Sequence, residues 1–171
     1  IPIEGQSELL AAAKTYIDAG RIHGIRLSTR PDYISRPILD NLKKYGVTTI
    51  ELGVQSMDDE VLVKSGRGHT KEQVKDAVKL IREYDFTLGL QMMTGLVGDT
   101  DEKSIKTAKE IIALKPDIVR IYPTLTIKDT HLETMYLNGE YTPQTVDEAV
   151  ELCKKLVLMF EDNNITVIRL G

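Results

Sequence analysis

Two glutamines and two arginines are the residues of this chain whose types and positions point to chemistry. Gln55 ends the apolar alternation "IELGVQ" (50–55), and Gln91 lies inside "FTLGLQMM" (86–93). Arg30 follows a strand pattern directly, while Arg67 sits between a short helix and a glycine in "GRGHT" (66–70). A guanidinium offers a forked donor pair that suits a carboxylate or phosphate. An amide donates and accepts without carrying charge. Placed together at one end of a sheet, these groups describe a site for a zwitterionic or anionic small molecule.

The other candidates read more plainly. Asp58, Asp59 and Glu60 open a helix, where acids meet the positive end of its dipole. His23, His69 and His131 stand at element boundaries without partners and read as surface or capping residues. "GLVGDT" (95–100) has two glycines three apart before a helix, and such loops can cradle phosphate with free amides. It lacks the lysine of a Walker loop, so a turn that requires glycine is the better description. The single cysteine, Cys153, rules out an internal disulfide, and no spacing resembles a metal site. It falls among Val146, Ala149, Val150, Leu156, Val157 and Phe160, a helical stripe that makes it a core thiol.

The elements that must position these groups follow from periodicity. Apolar residues make up 42% and charged residues 28% of 171 residues, an ordinary globular balance for one domain over residues 1–171. No apolar run approaches a membrane span and no signal-peptide pattern occurs, so a soluble cytoplasmic protein is expected. Net charge is −4 with the signs mixed, which argues against a dominant nucleic-acid surface. Helical stripes alternate with strands near 24–28, 48–54, 86–93, 117–123 and 165–170. Such alternation predicts a parallel α/β sheet with outer helices, either doubly wound or part of a barrel. Both architectures bind ligands at the carboxyl ends of their strands. Those ends read Ser28-Thr29-Arg30, Gln55-Ser56, Thr94-Gly95 and Thr124, all polar. Five strands are too few to close an eight-stranded barrel, so a barrel here is partial.

"LSTRPDYI", "IELGVQS", "GRGHT", "GLQMMTGLVGDT" and "VRIYPTLTIKDTHLETMYLNGEY" resemble, in order, the strand-end motifs of radical SAM enzymes. The likeness covers almost the whole chain and is nearest the branch around the catalytic subunit of Elongator. It implies a partial TIM-type (βα) barrel in which a [4Fe-4S] cluster, held by a CxxxCxxC loop, cleaves S-adenosylmethionine (SAM) to a 5′-deoxyadenosyl radical. It places Ser28, Gln55, Arg67 and Gln91 at SAM-binding positions, with Arg67 on the methionine carboxylate and Gln91 at the ribose hydroxyls. Arg30 joins them at the same end of the sheet. Ser28 and Gln91 depart from the family's pattern, since coproporphyrinogen-oxidising relatives carry acids there. Val97 stands where members often have proline. The cluster loop is absent from these residues, so the chain is expected to be the later units of a longer enzyme and inactive alone. RNA is the substrate class that the likeness implies for the whole protein. The alternatives are a coproporphyrinogen-oxidase-type enzyme and a non-catalytic barrel acting as a scaffold. Apolar faces left open would favour self-association.

Overall fold

Side chains at the helix starts decide where most helices begin. The computed structural model describes residues 2–171. Thr70 accepts from the Gln73 amide while the Gln73 side chain accepts from the Thr70 amide, a capping box that opens α4 (Lys71–Ile81). Thr145 and Glu148 repeat it at α7 (Val146–Glu161). Asp58 and Thr100 cap α3 (Asp59–Lys64) and α5 (Asp101–Ala113). The three acids read as dipole partners do local work of this kind. Asp58 caps, Asp59 accepts from the Lys71 amide, and Glu60 pairs with Lys64 and Lys103. Ser35 stands at the N-cap of α2 (Arg36–Lys44) but makes no side-chain cap bond, so the fixed φ of Pro37 is what favours that start. The first helix, α1, spans Ile3–Asp18.

The strands are β1 (Ile25–Thr29), β2 (Val47–Gln55), β3 (Thr87–Thr94), β4 (Ile118–Pro123) and β5 (Thr166–Leu170). All neighbours are parallel, in the order β1-β2-β3-β4-β5. A doubly wound sheet would reverse its order at a switch point. Sequential order is the winding of a barrel, and here β1 and β5 remain edges, so the barrel is open.

Period-2 alternation gives the sheet two different faces. Ile50, Leu52 and Val54, Leu88, Leu90 and Met92, and Val119 and Ile121 are fully buried beneath the helices. Leu39, Val74, Ile81, Ile111, Leu156 and Phe160 meet them from the helical side. Cys153 is buried in this core, as its stripe predicts, and burial pushes its thiol pKa up. The opposite, inner face pairs Ser28 with Glu51, Gly53 with Gln91, and Gln91 with Arg120. It is polar.

Two elements were not anticipated, a 3-10 turn at Pro31–Tyr33 and α6 (His131–Leu137). Helix α6 buries no residue, so it offered no apolar stripe to read.

Candidate ligand site at the strand ends

The carboxyl end of β2 is built around an unusual backbone. Gln55 has φ +65°, the left-handed region, and the pairing with β3 slips between Gly53 and Gln55. The turn folds its amide back over Gly53, where a Cβ would sit 2.8 Å from the Gln55 Nε2. A side chain at Gly53 would have to displace that amide, which lies on the inner face of the sheet. Gln55 is 7% exposed, and its Oε1 has no hydrogen-bond partner among the described residues. A left-handed non-glycine residue costs roughly 1–3 kcal/mol, and a buried unsatisfied acceptor about 1–3 kcal/mol more. Two such costs fall on this one residue.

Arg67 approaches from the loop after α3, between Gly66 (φ +61°) and Gly68 (φ +72°). Its guanidinium is half-buried, with no hydrogen bond or ion pair among the described residues. Burial first, and then the neighbouring Arg30 charge, lower its pKa. An anion bound here would relieve both.

The loop is tied down from both sides. His69 is buried, with Nε2 3.0 Å from the Val54 carbonyl, which corrects its reading as a boundary residue without a partner. His23 is exposed, as read, and so is His131. Arg30 donates to Asp32 at 2.9 and 2.8 Å and to the Gly68 carbonyl at 3.0 Å. Its fork is thus committed to holding the turn beneath Arg67. The hydrogen bond from Arg30 holds the Asp32 carboxyl below the usual carboxylate range. Because the folded value is lowered, this pair stabilises the loop above that range and is lost as pH falls through the lowered value. The Asp32 carboxyl resonance is accordingly expected to stay constant from neutrality to about pH 4 and to shift only below it. A midpoint at the ordinary carboxylate value would show that the pair does not anchor the loop.

Ser28 and Gln91 meet directly, the Gln91 Nε2 donating to the Ser28 Oγ at 3.1 Å and to the Glu51 Oε2 at 2.9 Å. Glu51 is fully buried and receives Arg120, with Nη2 at 2.9 Å from Oε1 and Nε at 2.6 Å from Oε2. Neither Glu51 nor Arg120 was singled out in the sequence. The signal was there, as a charged residue at an inner position of each strand, "IELGVQ" and "DIVRIYP". Gly89 supplied another, since a Cβ there would lie 2.6 Å from the Glu51 Cγ.

The "GLVGDT" loop is a turn. Asp99 accepts from the Gly95 and Thr100 amides and from the Ser104 hydroxyl, so two of the loop's amides already have a carboxylate. Burial raises the Asp99 pKa, a sign of how closely it is enclosed. A cavity of about 640 Å³ lies elsewhere, along the apolar side of α7 beside Val146, Val150, Leu158 and Leu170. It has little polar lining with which to orient a charged ligand.

An open, sequentially wound parallel sheet with polar groups at its strand ends defines a TIM-type partial barrel. The chain belongs to the radical SAM superfamily, whose pattern matches residues 3–111, with the radical SAM C-terminal domain pattern over residues 116–171. The tRNA uridine(34) acetyltransferase of Methanocaldococcus jannaschii is 38% identical over 129 residues, covering 74% of this chain and 24% of that protein. Elongator complex protein 3 of Homo sapiens is 32% identical over 139 residues, covering 80% of this chain and 25% of that protein. The solved structure of the archaeal Methanocaldococcus infernus Elp3, with an N-terminal deletion, matches at TM-score 0.80 and 32% identity over 86% of this chain and 35% of that one. Coproporphyrinogen III oxidase from Escherichia coli matches at TM-score 0.69 and 17% identity over 92% of this chain and 37% of that one, a likeness of fold alone. The chain spans about a quarter of the length of the curated relatives it matches. Among the described residues, no helix is long and apolar enough to cross a membrane.

Proposed function

We propose that this chain forms the later units of a radical SAM barrel and holds SAM at the carboxyl ends of β1, β2 and β3. The observation that carries this is the buried Gln55 Oε1, which has no partner among the described residues, at the end of the strand to which His69 and Arg30 tie the loop that bears the half-buried Arg67. SAM is zwitterionic with an added sulfonium. Arg67 binds its carboxylate, and Gln55 accepts from a donor of the same molecule while adding no charge beside the sulfonium. Gln91 and Ser28 line the ribose side, and Arg30 keeps the Arg67 loop in place. When bound beside a reduced [4Fe-4S] cluster, SAM supplies a 5′-deoxyadenosyl radical. The chain's single, buried Cys153 leaves the cluster to other residues of the whole protein. Those named relatives that act on tRNA support RNA as the substrate of the whole protein.

Gln55→Gly is expected to be more stable than Gln55→Ala by about 1 kcal/mol, because only glycine adopts the left-handed φ without strain. Both variants should bind SAM about tenfold more weakly, the loss of one hydrogen bond to a charged ligand. Thermal melts and equilibrium dialysis read the two effects separately. Equal stability of the two variants would show that the backbone is unstrained.

The whole protein, reconstituted with iron and sulfide and reduced without oxygen, should form 5′-deoxyadenosine from SAM. Residues 1–171 alone should form none. A whole protein that binds SAM without cleaving it would indicate a scaffold, and a stoichiometric cluster on residues 1–171 would overturn the division of labour.

A further inference from the structure

The inner face of the sheet contains a group that the proposed ligand contacts do not use. Glu51 sits mid-strand, fully buried, and a buried carboxylate persists only where its oxygens are fully supplied with donors. Two hydrogen bonds reach it, from the Arg120 Nη2 of β4 to Oε1 and from the Gln91 Nε2 of β3 to Oε2, each at 2.9 Å. The Arg120 Nε at 2.6 Å and the Arg26 Nε of β1 at 3.5 Å add ion-pair contacts. Gly89 leaves the space that its stem occupies.

This arrangement dictates which way the Gln91 amide faces. An amide oxygen set against a carboxylate is repelled, so the nitrogen must face Glu51. Its second hydrogen goes to the Ser28 Oγ at 3.1 Å. Both hydrogens are then occupied, and Oε1, which has no partner among the described residues, is left as an acceptor only. Without Glu51 the amide could present either end. We propose that Glu51 is a positioning residue, whose buried carboxylate locks Gln91 so that its oxygen accepts from a hydroxyl of bound SAM. The device gives Gln91 the acceptor-only character of a carboxylate while keeping it uncharged. Glu51 itself touches no ligand.

The inference rests on the SAM reading of the site, and a double-mutant cycle in the whole protein separates the two. SAM dissociation constants are measured by equilibrium dialysis for the wild type, Glu51→Gln, Gln91→Ala and the double variant. Gln91→Ala should weaken binding about tenfold, Glu51→Gln should do nearly as much, and the double variant should bind no worse than Gln91→Ala. A loss through general loosening would persist in the Gln91→Ala background, which a merely structural Glu51 would produce. Wild-type affinity for Glu51→Gln beside a weak Gln91→Ala, or losses that multiply, would overturn the role of Glu51. An unaffected Gln91→Ala would overturn the site reading itself. If Glu51→Gln does not fold, Glu51→Asp takes its place in the cycle. It keeps the charge but draws the carboxylate back from Gln91, and should give a smaller loss that vanishes in the Gln91→Ala background. A Glu51→Asp loss undiminished in that background would overturn the locking of Gln91.

Discussion

Arg67→Ala is expected to lower SAM affinity by one to two orders of magnitude and to leave the melting temperature unchanged. A hydrogen bond to a charged group contributes about 1.5–3 kcal/mol, which is roughly one to two decades in affinity. The fold gives up nothing in exchange, because the guanidinium has no hydrogen bond or ion pair among the described residues. The loop is held independently, by the Arg67 backbone amide on the Leu62 carbonyl, by His69 and by Arg30. Arg67→Lys should recover part of the loss, since it restores the charge without the fork. An Arg67→Ala protein that unfolds while keeping SAM affinity would make Arg67 structural.

The opposite pattern is expected one layer deeper in the sheet. Arg120→Met should destabilise the fold by about 3 kcal/mol, because it strips the principal counter-charge from a fully buried carboxylate. Breaking such pairs by removing one partner costs roughly 3–5 kcal/mol. The lower end applies because Arg26 stays within 3.5 Å of Glu51, and its half-exposed side chain can move closer. For a chain of this size, that corresponds to a fall of roughly 6–12 °C in melting temperature. Glu51→Leu in the Arg120→Met background should restore most of it, since replacing both partners with apolar groups removes the stranded charge. An Arg120→Met protein that melts like the wild type would mean that the Glu51 pair is not a determinant of stability.

These two arginines show what was legible in the sequence. Arg67 stood out in the sequence because its surroundings are local: a short capped helix, two glycines and a strand end just upstream. Strand direction was legible for the same reason, since alternating stripes imply parallel pairing, whereas sheet order came only with the family resemblance because the stripes left a doubly wound sheet open. Ser28 and Gln91 appeared as departures from the family's pattern, and the structure shows them bonded to each other, with Gln91 bonded to Glu51 as well. That Glu51 anchors them depends on strand register, which pairs residues 63 and 69 positions apart and which no local pattern reveals. The strain at Gln55 was hidden likewise, because a bulge depends on pairing with the neighbouring strand. His69 was misread because its partner, the Val54 carbonyl, is a backbone atom without a sequence signature.

The most direct test of the account is a titration of SAM to millimolar concentration into the isotope-labelled chain, following side-chain resonances. Binding is expected to shift the Gln55 and Gln91 amides and the Arg67 guanidinium together, along one saturation curve. Shifts confined to the apolar groove beside Val146, Val150 and Leu158, or none at the strand ends at any concentration, would contradict it.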